Sequence, residues 1–80
     1  MQSLIADTLK AWREAERVLL GLSPTAPEHD TVRRMVIELR AMYSKLSEPF
    51  DISEDTIASA HALLRTAAAL FQSIRGEPAS

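Results

Sequence analysis

The sequence predicts an all-α protein that folds as an up-down-up antiparallel three-helix bundle in a single domain, residues 1–80. Apolar residues recur in alternating steps of three and four in three segments, about 3–20, 26–47 and 53–75, which is the spacing of one helix face. Two glycines and four prolines leave long stretches without a helix breaker. The connections between the segments are short, which favours antiparallel neighbours.

The first predicted helix has an apolar arc of roughly 200°, wider than one helix contact needs. Glu16 lies at the edge of this arc, where its carboxylate can extend to water; the alternative is an ion pair with an arginine across an interface. Gly21 is expected to end the helix in the left-handed conformation, and Pro24 prevents the helix from resuming. Two rows form the arc: Ile5, Leu9, Trp12 and Leu19, and beside them Leu4, Thr8, Ala11, Ala15, Val18 and Leu22.

The second predicted helix begins with a capping box at residues 25–28 (Thr-Ala-Pro-Glu), in which Pro27 occupies the first turn. It ends before Pro49, because the residue before a proline avoids the helical region. Its apolar arc spans only about 120°, and Ile37 and Ala41 form a small apolar spot outside it. The apolar row is Val32, Met35, Leu39, Met42 and Leu46, flanked by Val36 and Tyr43.

The third predicted helix begins after Ser53, whose hydroxyl is expected to cap the first turn. The acidic residues 54–55 favour the positive end of the helix dipole, and Ile52 can contact Ile57 as a hydrophobic staple. The core row is Ile57, Ala60, Leu64, Ala67, Phe71 and Ile74, with Leu63 and Leu70 beside it.

The end of this helix is marked by Gly76 and Pro78, beyond which the chain is expected to fray. Phe50, in the preceding connection, is expected to cover one end of the core.

The outer side of the third helix is unusual because it has small side chains where a solvated helix has Glu, Lys and Arg. Arg65 is the one formal charge between Ile57 and Ile74, and neither Glu nor Lys occurs between Asp55 and Arg75. Small side chains let two helix backbones approach closely, which brings more atoms within dispersion range. The predicted partner interface is Ala58, Ala62, Arg65, Thr66, Ala69 and Ser73.

Together, this outer side and the wide arc of the first helix provide more buriable surface than a three-helix bundle can cover by itself. The sequence therefore predicts a non-catalytic protein–protein interaction module, such as an adaptor, a chaperone-like protein or a regulatory subunit. We expect a homodimer, a complex with another helical protein, or both.

Several kinds of chemistry are absent from the pattern. The chain has no cysteine, which excludes disulfides, thiolate zinc sites and cysteine nucleophiles. His29 and His61 have no ligand partner at helical spacing, and no nucleophile–base pair or glycine-rich phosphate loop occurs. We therefore expect that the protein is not an enzyme and that it binds no cofactor and no metal.

The charge distribution argues against nucleic acid and membranes. A net charge of −2 gives no long-range attraction to either polyanion, and the cations of the second helix are interspersed with acidic residues at 28, 30 and 38. No segment approaches the roughly 18 apolar residues of a membrane span, and the N-terminus has no basic leader. We expect a soluble cytoplasmic protein.

His61 supports one alternative. The segment AHAL at 60–63, followed by TAA at 66–68 and by Leu70, resembles the helix that carries the phosphorylated histidine in histidine phosphotransfer domains. The resemblance implies a phosphorelay module in which His61 accepts the phosphoryl group.

The resemblance has two departures from the family pattern. Family members have a lysine three positions after the histidine and a small residue at the fourth, and these positions are Leu64 and Arg65 here. The family also builds a four-helix bundle with the histidine on an internal helix, whereas His61 lies on the last predicted helix.

Overall fold

The computed structural model describes residues 2–48 and 53–76. These residues form three helices, α1 (Gln2–Gly21), α2 (Pro27–Ser47) and α3 (Glu54–Arg75), and contain no strand. Each helix contacts the other two, so the all-α prediction is confirmed at the level of a three-helix bundle. None of the helices within the described ranges is long and apolar enough to cross a membrane.

The larger core cluster lies near the middle of the bundle. Its buried members are Ala15, Met35, Leu39, Ala67 and Phe71, and Leu39 is fully buried. Burial of apolar side chains such as these is the main favourable term in folding. Half-buried residues of all three helices pack against this cluster: Ala11, Trp12, Val18, Val36, Leu63, Leu64 and Leu70.

A second, smaller cluster closes one end of the bundle. Leu4, Leu46 and Ala60 are buried there, one from each helix. Thr8 is also fully buried, and its hydroxyl donates a hydrogen bond of 2.8 Å to the carbonyl oxygen of Leu4. The buried hydroxyl of Thr8 therefore has a hydrogen-bond partner within its own helix, as buried polar groups in proteins generally do.

Two predicted details of the helix ends are wrong. Gly21 is the last residue of α1, but its φ is not positive. Among the described residues only Gly76 has a positive φ. The predicted capping box at 25–28 does not form, because Ala26 is the N-cap and no side chain caps α2. Proline is best placed in the first turn, so Pro27 begins the helix, and the Thr25 hydroxyl instead lies 2.9 Å from that of Ser23.

The ends of α3 agree with the sequence prediction. The hydroxyl of Ser53 accepts a hydrogen bond of 3.2 Å from the backbone N–H of Thr56. Gly76 takes the left-handed conformation at φ 72°, which an L side chain rarely adopts, and its N–H bonds back to the last turn. The predicted roles of Ile52, Phe50, Pro49 and Pro78 lie outside the described residues.

The difference in burial between Leu39 and Leu20 predicts different effects of alanine substitution on the free energy of unfolding. Leu39→Ala should lower the free energy of unfolding by about 2–5 kcal/mol, because the substitution leaves a cavity in a fully buried site. Leu20→Ala is the matched control, because Leu20 is 87% exposed and its loss should change stability by less than about 0.5 kcal/mol. Urea unfolding followed by circular dichroism measures both, and equal effects would contradict the assigned core.

Candidate functional site

The predicted interface on α3 lies on the outer surface of the bundle, and all six of its residues are exposed: Ala58, Ala62, Arg65, Thr66, Ala69 and Ser73. We call this set the α3 face. The inner side of the helix is defined by the buried residues Ala60, Ala67 and Phe71. At about 100° per residue, Ala62 and Ala69 point directly away from that inner side.

The α3 face is smooth. The hydroxyl of Thr66 donates a hydrogen bond of 3.0 Å to the carbonyl oxygen of Ala62, so its hydrogen is used within the helix. Alanine and serine add only short side chains, and an approaching helix would meet methyl groups and backbone. The face is therefore suited to close helix packing.

Arg65 is the only formal charge on this face, and it lies at the margin farther from α2. None of the ion pairs between described residues includes it. A guanidinium is a planar group with five donors, so Arg65 is available to a carboxylate or a carbonyl oxygen on a partner.

A groove of about 300 Å³ separates the outer sides of α2 and α3, and it adjoins the α3 face. Leu63 and Met42 are half-buried in it, and Ala41 is exposed at its edge. Nearby on α2, Ile37 is 60% exposed. The groove is lined by Glu38, Ala41, Met42, Lys45, Ser59 and Leu63.

Sequence reasoning missed this continuity between α2 and α3. Helical spacing marks Ile37 and Ala41 as an apolar spot, but nothing in the sequence places that spot beside Ser59 and Leu63 of another helix. The outward surface of the bundle is therefore larger than the α3 face and includes part of α2.

The opposite side of α3, facing α1, has different chemistry. Arg75 forms a salt bridge with Glu14, which also lies 4.0 Å from Arg17. A groove of about 340 Å³ runs beside this pair, with Lys10 and Arg13 among its lining residues and Phe71 in its apolar wall. The pair is partly exposed, so we assign it at most about 1 kcal/mol of stability.

Trp12 packs at the margin of the core and also lines a surface groove on α1. Its ring centroid lies 5.8 Å from that of Tyr43 with the planes tilted by 44°, which is a normal aromatic contact. Within the described ranges, Nε1 of Trp12 is the single buried side-chain polar atom without a hydrogen-bond partner. Glu16, one helical turn further along α1, is exposed as expected.

The two histidines are far from any metal-binding arrangement. His61 is exposed on α3 and His29 is half-buried in the first turn of α2. Among the residues that the structure describes, no group of three or more His, Asp or Glu side chains is placed to hold a metal ion. The exposure of His61 means that a reagent or a protein can reach its ring.

Comparisons with known proteins give no assignment: no protein-family model, no curated protein and no solved structure matches this chain.

Proposed function

We propose that the protein is a non-catalytic protein–protein interaction module that forms a homodimer by burying the α3 face against a helix of a second copy. The observation that carries this proposal is the exposure of six residues opposite the buried side of α3, of which five are small and uncharged. A module of this kind acts as an adaptor, a chaperone-like protein or a regulatory subunit, and another helical protein is the second kind of partner it fits.

We also infer that the helices follow an up-down-up course. Leu4 near the start of α1, Leu46 near the end of α2 and Ala60 near the start of α3 share one cluster. Helices that alternate in direction bring these ends together. The course places the outer sides of α2 and α3 next to each other along their whole length.

The energetics favour a small-residue contact. Ordering an alanine side chain costs no rotamer entropy, whereas ordering lysine or glutamate costs up to about 2 kcal/mol. Close approach of two backbones also increases the number of atoms in van der Waals contact. A face of alanine and serine therefore loses little on association, although each contact contributes little by itself.

Arg65 is compatible with this contact. In an antiparallel pair, the two Arg65 side chains would lie on the same margin of the interface. Two unit charges about 10 Å apart in water repel by about 0.4 kcal/mol, which is small beside the free energy of a stable dimer. Its marginal position lets each guanidinium extend into water.

The proposal predicts that Ala69→Glu dissociates the dimer. A glutamate there would have to be desolvated opposite small apolar side chains, so the dissociation constant should rise at least about tenfold. Sedimentation equilibrium at tens of micromolar measures the effect as a fall in average mass towards that of one chain.

Ala68→Glu is the matched control for this experiment. Ala68 is also an exposed alanine, but it lies about 100° around the helix from Ala69 and faces the groove that contains Lys10 and Arg13. Its substitution should leave the mass unchanged, and urea unfolding checks that both variants fold. A wild-type protein that sediments as one chain would contradict the homodimer.

The phosphorelay module is the second candidate, because the ring of His61 is exposed on α3. The proposed interaction module predicts that His61→Gln leaves the sedimenting mass unchanged and that wild-type protein incubated with acetyl phosphate gains no acid-labile phosphate. Phosphate gain by the wild-type chain that is lost in His61→Gln would instead support phosphotransfer. Mass spectrometry at neutral pH provides the measurement.

A further inference from the structure

We propose that the second copy docks in a single antiparallel orientation, on a surface made by α2 and α3 together, with charged side chains of α2 fixing the register. This inference rests on the proposed homodimer and names its geometry. Its main evidence is the order of charges on the outer side of α2, which is complementary to itself when the helix is reversed.

Five exposed charges alternate in sign along this side of α2 and its C-cap: Asp30, Arg34, Glu38, Lys45 and Glu48. Asp30 is paired with Arg33 of the same helix, which leaves the four charges from Arg34 to Glu48 on this side. Ala41 lies at their centre and is also exposed. At about 100° per residue, these residues lie within roughly 40–60° of Ala41, so they border the same strip of surface. None of the four takes part in an ion pair between described residues.

An antiparallel second copy pairs opposite charges along this strip. Positions 38 and 45 are equidistant from the midpoint of positions 41 and 42, and positions 34 and 48 are equidistant from position 41. A two-fold axis across Ala41 therefore brings Glu38 opposite Lys45 of the second copy and Arg34 opposite its Glu48. Each pair forms twice, because an isologous interface repeats every contact.

A parallel arrangement would have the opposite electrostatic character. In a parallel arrangement that pairs α2 with α2, identical residues would lie at the same height, so Glu38 would face the region of the other Glu38 and Lys45 that of the other Lys45. Like charges across an interface suppress wrong arrangements. The charge order thus favours the antiparallel orientation, and the match with the α3 face selects the register.

The α3 face has the same kind of symmetry. Positions 62 and 69 are equidistant from the midpoint of positions 65 and 66, and so are positions 58 and 73. Reversing α3 therefore places Ala62 opposite Ala69 of the second copy and Ala58 opposite its Ser73. Small side chains therefore meet small side chains at these four positions, while Arg65 lies beside the axis at the margin farther from α2.

One axis serves both helices. Leu39 shares a core cluster with Ala67, and Leu46 shares the other cluster with Ala60. If the two residues of each pair lie at the same height along the bundle, the midpoint of positions 41 and 42 of α2 is level with position 64 or 65 of α3. The α3 midpoint lies about one residue further, an axial offset of roughly 1.5 Å.

The groove between α2 and α3 supplies the space for this contact. Glu38 and Lys45 line it on one side, and Ser59 and Leu63 line it on the other. In the proposed dimer the Glu38–Lys45 pairs lie over this groove and cover the half-exposed Leu63. Ile37, on the other margin of the strip, packs beside Ala41 and Ser44 of the second copy.

The test uses reversal of one charge at a time. Glu38→Lys and Lys45→Glu should each weaken self-association at least about tenfold, because two attractive pairs become two repulsive ones. An equimolar mixture of the two variants should recover a dimer, because the lysine introduced into one chain then faces the glutamate introduced into the other. Sedimentation equilibrium of each variant and of the mixture measures this.

Arg40→Glu is the matched control. Arg40 is an exposed cation of α2 that lies about 100° around the helix from Ala41, so its reversal should leave the dissociation constant unchanged.

The outcomes separate this inference from the proposed function. If the wild-type dimer is sensitive to Ala69→Glu but not to the two charge reversals, the α3 contact stands and the α2 register is wrong. If both reversals dissociate the dimer but the mixture does not reassociate, the antiparallel pairing is wrong. A wild-type protein that stays a single chain overturns both.

Discussion

A helix in a three-helix bundle has two neighbours, so one side of α3 must face outward. In this chain the outward side has small side chains and one charge, Arg65. That constraint determines which side chains of α3 are available to another molecule. The buried residues Ala60, Ala67 and Phe71 hold α3 against α1 and α2, and the same packing turns Ala62 and Ala69 away from the core, where only another molecule can bury them.

The fold could be predicted from sequence because its signals are local. Apolar periodicity indicates three helices, the hydroxyl of Ser53 caps α3, and Gly76 ends it. The failures arise where two local signals compete. Pro27 takes the first helical position, which moves the cap of α2 to Ala26 and leaves the Thr25 hydroxyl to Ser23.

The candidate site could be predicted only in part. The exposure of the α3 face follows from helical spacing once the core row is known. The Glu14–Arg75 salt bridge joins residues 61 positions apart, and the groove that joins Ala41 to Leu63 depends on how α2 lies against α3. No local pattern carries such information, because it is created by packing between helices.

The central claim is that the α3 face is buried between chains. Because the chain has no cysteine, a single introduced thiol can report on this directly. Ala62→Cys should react more slowly with a thiol-alkylating reagent as the protein concentration rises, while Ala68→Cys reacts at a constant rate. Equal rates for the two variants at every concentration would show that the face stays in water and would contradict the account.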